Sequence, residues 1–143
     1  MSFDKMTGLE ILQAMMEGKI PAPSMAETMP SKLIYAEEGL VKFLVRADKR
    51  HLNPMGGVHG GFSATILDSV TGCAVQTLME PGVKYSTINL EIKMIRPIPL
   101  NQELVAEGTM INRSRRLAVS EGKIMDEEGK IYAAGSATCM ILS

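Results

Sequence analysis

The chain has 143 residues, 15 basic and 16 acidic, for a formal net charge of −1. That length suits one domain with a substantial core, and a near-neutral balance gives no general pull toward nucleic acid or an anionic membrane. A composition of 45% hydrophobic and 22% charged residues excludes a disordered chain, and no apolar run reaches the ~18 residues of a membrane span.

The N-terminus, MSFDKMTGLE, has no basic start followed by an apolar block, so no secretory signal is read there. Two cysteines, Cys73 and Cys139, are too few for a disulfide framework and read as small buried thiols. A cytoplasmic location is expected. Twelve methionines against six aromatics suit either a Met-filled core or an adaptable apolar pocket.

TGLEILQAMMEG reads as a helix. Thr7 and Glu10 have capping-box spacing, Ile11, Leu12, Met15 and Met16 form the apolar stripe, and Gly18 is the stop. KIPAPSMAETMP holds three prolines and reads as an irregular arm. The chain therefore divides into residues 1–30, a helix and Pro-rich arm, and the main body, residues 31–143, within one domain overall. SKLIYAEEGLVKFLVRA reads as two strands joined at Glu37-Glu38-Gly39. HLNPMGGVHG is rich in turn formers and reads as a loop, with His51 on the surface.

From Gly61 to about Met79 the periodicity is helical and apolar, with Phe62, Ile66, Val70, Cys73 and Thr77 on one side. So few polar residues on any face predict a buried helix. Four strands follow: STINLEIKMIRP, ELVAEGTMINR, RLAVSEGKIMD and KIYAAGSATCMIL. Ile88, Leu90, Ile92 and Met94 are expected on one face of the first. Ala133, Gly135, Ala137 and Cys139 read as a small apolar row facing away from the core, so that both faces of the sheet are covered. The layout is α+β, one antiparallel sheet wrapped around one long central helix.

Asp68 is the one formal charge between His51 and Met79. Nothing at i±3 or i±4 can pair with it, because Ala64, Thr65, Thr71 and Gly72 are neutral. A charge buried without a partner is costly. The pairs Gly56-Gly57 and Gly60-Gly61 permit close backbone approach, and the second opens the helix. The N–H of Gly60 or Gly61 there could polarise a substrate carbonyl. Gly60 and Asp68 lie about two turns, or roughly 12 Å, apart along one helix. A two-fold dimer would bring the Asp68 of one subunit toward the Gly60 of the other.

HLNPMGGVHGGFSATILDSVTGCAV resembles the hotdog-fold acyl-CoA thioesterases of the phenylacetate-pathway (PaaI-like) branch. The matching positions are Asn53, His59-Gly60-Gly61 and Asp68. The resemblance covers roughly residues 35–142. It implies a homodimer with a continuous sheet and active sites at its interface, and a further pairing into a homotetramer. It also implies an acyl-CoA substrate. The Gly60 N–H, with Gly61 beside it, would polarise the thioester carbonyl. Asp68 of the opposite subunit would be nucleophile or general base. Asn53 and His59 would position thioester or water. Thr87, with Ser86 next, matches a Ser or Thr that the family often has near the acid. Arg113, Arg115 and Arg116, at a strand-to-strand turn, could meet CoA phosphates or form a solvated hairpin tip.

No metal is expected, since two histidines without HExxH or CxxC make no ligand set, and no cofactor is expected either. Ser63 and Ser69 lie outside any GxSxG. The pocket is expected to draw on Met55, Met79, Met94 and the Pro-rich 20–30 segment. The alternatives to a thioesterase are a hotdog acyl-CoA hydratase or dehydratase, and a non-catalytic acyl-CoA binder.

Overall fold

In the computed structural model, which describes residues 3–142, the first helix begins where its cap is written. Thr7 Oγ1 accepts the Glu10 N–H at 3.1 Å, and the Glu10 carboxylate accepts the Thr7 N–H at 2.8 Å. This capping box starts α1, Gly8–Met16. Gly18, at φ 76, takes the left-handed turn that ends it. The arm is not wholly irregular: Met25–Thr28 form one helical turn, α2, despite the prolines ahead of it.

Six strands and one long helix follow. They are β1 (Ser31–Glu37), β2 (Leu40–Arg46), α3 (Gly60–Gln76), β3 (Lys84–Met94), β4 (Glu103–Arg113), β5 (Leu117–Met125) and β6 (Ile131–Leu142). All pair antiparallel in the order β1-β2-β4-β5-β6-β3, so β1 and β3 are the edges. The expected α+β layout of a sheet wrapped on one helix is what the chain adopts.

α3 packs on one face of the sheet. Phe62, Ile66, Leu67 and Val70 are buried against Val41, Ala106, Ile124 and Ala133. Each such side chain contributes about 1.5–3 kcal/mol by leaving water. The sheet makes room with glycine: a Cβ on Gly108 would run into the Val70 carbonyl. Ser120 Oγ donates to Thr71 O at 3.0 Å, tying β5 to the helix. At the far end Gly39 N–H donates to Thr77 Oγ1 at 2.8 Å, which fixes the β1–β2 turn against the end of α3.

Three sequence expectations change here. The row Ala133, Gly135, Ala137 and Cys139 faces the helix, paired in register with Ile124, Gly122, Ser120 and Ala118. Its small side chains admit α3 instead of a second subunit. The opposite face carries the cross-strand charges Lys42, Glu107 and Lys123. On β3, a bulge between Thr87 and Asn89 expels Ile88 to solvent and leaves Thr87 on the helix side. Finally, α3 is buried on one side only. Asp68 is exposed, on a stripe with the partly buried Gly61, Ala64 and Thr65.

Candidate active site

The loop before α3 is built by Asn53. Its side-chain carbonyl accepts the N–H groups of Met55 and Gly57, at 2.9 and 3.1 Å. Its main chain closes the same turn through Gly56 and Gly57, and Gly56 adopts φ 88. This Asx-type turn makes the loop a fixed ramp into the helix. His59 N–H donates to His51 O at 2.7 Å, which seats the last residue of the ramp.

His59 then caps α3. Its Nδ1 accepts the Gly61 N–H at 2.7 Å, and its carbonyl accepts the Phe62 N–H at 3.0 Å. The Gly60 N–H has no hydrogen-bond partner among the described residues. It stands free at the positive end of a helix of 17 residues. Of the two glycines read as donors, Gly61 is therefore engaged and Gly60 is open.

Asp68 lies two turns along α3, at the edge of a cavity of about 420 Å³. From α3 the lining also includes Thr65, Gly72, Cys73 and Gln76, and from β3 it includes Tyr85 and Thr87. The other walls draw on Leu12, Met15 and Met16 of α1, on Ala22, Pro23, Met25, Ala26 and Met29 of the arm, and on Ser31, Lys32, Leu33 and Phe43 of the sheet. Most of these side chains are apolar, which suits an apolar ligand with a few polar groups at one end. Thr87 Oγ1 lies 3.6 Å from Cys139 Sγ. Tyr85 hydroxyl donates to Gln76 Oε1 at 3.0 Å, and Gln76 Nε2 donates to Gly8 O at 3.3 Å, locking α1 to α3.

Charge in the cavity is confined. Burial pushes the Cys73 thiol up to about 12, with the Asp68 charge adding to the effect. Burial also raises the Tyr85 phenol, and the neighbouring Cys73, Cys139 and Asp68 raise it further. Both groups are neutral near neutral pH.

The structure thus brings Asp68 and Thr87 to one cavity. It places Asn53, His59 and Gly60 at the start of the same helix, away from that cavity. Ser86 is exposed and Thr87 partly buried. The three arginines separate. Arg113 donates to Leu78 O at 2.7 Å and pairs with Glu80 at 2.9 Å, while Arg115 and Arg116 are exposed at the β4–β5 turn.

His51, expected on the surface, is 6% exposed. Its ring is held between Asp48 N–H and Thr28 O. Met55 and Met94 are exposed and Met79 belongs to a second core cluster, so none of the three lines the cavity. The methionines that do are Met25 and Met29, within the 20–30 segment expected to contribute, and Met15 and Met16 of α1, whose apolar stripe reads from the sequence only as a packing face.

Residues 55–133 match the family model described as Thioesterase superfamily. The human protein acyl-coenzyme A thioesterase 13 is 25% identical over 107 residues, 74% of this chain and 76% of the relative. A phenylacetic acid degradation-related protein from Ralstonia eutropha JMP134 has a solved structure with a TM-score of 0.82. It is 30% identical, with 90% of this chain and 98% of that one covered. A thioesterase protein from Streptococcus pneumoniae TIGR4, crystallised with coenzyme A, shares the fold at 22% identity and a TM-score of 0.72, covering 79% of this chain and 86% of that one.

Proposed function

The chain belongs to the thioesterase superfamily, and we propose that it hydrolyses an acyl-CoA thioester to the free acid and CoA at a site shared by two subunits. The observation that carries this reading is the division of labour along α3. A free N–H stands at Gly60 and a lone carboxylate at Asp68. They are eight positions apart along the helix, about 12 Å, too far for both to serve one carbonyl within one chain. A two-fold axis beside the small-residue stripe of α3 would set Asp68 of the partner subunit opposite Gly60.

In that arrangement the thioester oxygen accepts the Gly60 N–H. The bond strengthens as the oxygen gains charge in the tetrahedral intermediate. Asp68 of the partner subunit either takes a proton from the attacking water or attacks the carbonyl carbon itself. Collapse of the intermediate breaks the C–S bond and releases CoA as its thiolate, which is then protonated; on the direct-attack route the acyl group is left as an anhydride on Asp68, and water then hydrolyses it to the free acid and the carboxylate. Thr87, on the cavity wall with Asp68, would orient the carboxylate or the water. His59 holds the helix start, and Asn53 holds the loop that carries His59. Arg115 and Arg116 are free to meet CoA phosphates.

A thiol-release assay over a panel of acyl-CoAs tests the activity. Asp68→Asn should lower kcat by ~10²–10⁴, the usual size for an acid–base group. Turnover by Asp68→Asn close to wild type would remove the carboxylate from the reaction. Thiol release from no acyl-CoA, with several bound, would leave a binder. In a single turnover in water labelled with heavy oxygen, label found in Asp68 supports direct attack, because it enters when water opens the anhydride at the aspartyl carbonyl.

A further inference from the structure

Two side chains reach the C-terminal end of α2 from outside it. His51 Nε2 donates to Thr28 O at 2.7 Å, while its Nδ1 accepts the Asp48 N–H at 2.9 Å and so fixes the tautomer. Arg50 Nη1 donates to Glu27 O at 3.1 Å. The Asp48 carboxylate grips the same guanidinium at 2.9 and 2.8 Å. The buried His51 ring leans on Phe62 of α3, with centroids 5.1 Å apart. The two carbonyls belong to the last turn, which a helix leaves unpartnered.

A helix of four residues is too short to hold itself in place. This one also carries side chains that matter. Met25 and Met29, with Ala22, Pro23 and Ala26, form a wall of the cavity that contains Asp68. Methionine is unbranched and adapts its shape to what it touches. Asp68 and Lys32 are the only acidic and basic residues in the cavity lining.

We infer that α2 is the specificity wall of the site. Met25 and Met29 set the length and shape of an uncharged, apolar acyl group, and His51 and Arg50 are positioning residues that hold the wall through Thr28 and Glu27. This rests on the acyl-CoA reading above and names the substrate class for it.

The test compares Met29→Trp, Met29→Ala and His51→Gln with acetyl-, hexanoyl-, decanoyl- and palmitoyl-CoA. Binding of the matching S-alkyl-CoA thioethers, which cannot be hydrolysed, is measured in parallel. Met29→Trp should lower the decanoyl-to-acetyl ratio of kcat/KM about tenfold or more, and Met29→Ala should move the optimum toward longer chains. His51→Gln should raise KM for long acyl groups more than it lowers kcat, flattening the profile. Arg50→Gln repeats the test at an exposed position should His51→Gln not fold.

Unchanged length profiles in both Met29 variants overturn the wall. A loss at His51→Gln or Arg50→Gln that is equal for every chain length overturns the positioning role. Failure of the wild type to bind any thioether overturns both. If thioethers bind with the expected length preference but no thiol is released, the wall stands and the hydrolytic reading falls.

Discussion

His59 Nδ1 accepts the Gly61 N–H at 2.7 Å, and that one bond leaves the Gly60 N–H as the open donor at the start of α3. Proline is tolerated at the first position of a helix, and His59 already has the extended backbone that precedes it well, at ψ 138. Gly60→Pro should therefore fold while losing the donor. A Cβ at this position would crowd only the end of the Met94 side chain, which can move. Gly60→Ala keeps the donor and is the control. Its kcat should exceed that of Gly60→Pro by ~10²–10³, the size of one oxyanion donor. Equal rates for the two variants would show that this N–H does not contact the reacting carbonyl.

A site shared between subunits would have a consequence that no single-chain site can imitate. Asp68→Asn and Gly60→Pro should each be nearly inactive alone. In a mixed dimer both lesions fall in one site and the other site is intact. Co-expression at equal levels should restore roughly a quarter of wild-type activity, because half of the dimers are mixed and each has one intact site. Purified mixed dimers without activity would place Gly60 and Asp68 in separate roles.

What was legible in the sequence was mostly local. The capping box of Thr7 and Glu10 needs only three residues, and it forms as written. The helix stop at Gly18, at φ 76, is equally local. The errors are long-range. His51 looked like a loop histidine because its partner, Thr28 O, lies 23 residues earlier. The alternation of β3 fails at Ile88 because a bulge, which no pattern of apolar residues announces, resets the register. Ala133 to Cys139 looked like an outward row because small residues usually suit any face. Here they admit the helix. The carboxylate was legible as an oddity in an apolar segment. Its exposure was not, since what covers a helix face depends on residues distant in sequence.

The arginines at the β4–β5 turn should separate by assay. Arg113 is engaged with Leu78 O and Glu80 at the end of α3, and this pairing holds the Glu80 carboxyl below its ordinary value. Arg113→Ala should lower the melting temperature, by an amount set by about 1–2 kcal/mol for a lost charged hydrogen bond. Arg115→Ala and Arg116→Ala should leave melting unchanged and raise KM for acyl-CoA, more strongly at low salt. If the KM of both variants matches wild type, the turn is a solvated hairpin tip.

The cavity should also make the protein sensitive to alkali. Four titratable groups line it: Lys32, Asp68, Cys73 and Tyr85. A thiol raised to about 12 is almost wholly protonated near neutral pH, so Cys73 is a poor nucleophile there. The same shift has a thermodynamic sign. Cys73 and Tyr85 both have folded pKa values above their ordinary ones. Between the ordinary and the raised value the unfolded chain has already lost a proton that the folded chain retains. Stability from these groups is therefore fully present below about pH 9 and falls as pH rises toward about 12. The urea midpoint should drop between about pH 8 and about pH 10.5. In Cys73→Ala the drop should be smaller, because one of the raised acids is gone while Tyr85, Cys139 and the surface lysines, which also titrate, are unchanged. Parallel curves for wild type and Cys73→Ala would mean that the thiol ionises as freely in the folded protein as in the unfolded chain. Cys73 would then be available as a nucleophile in the cavity.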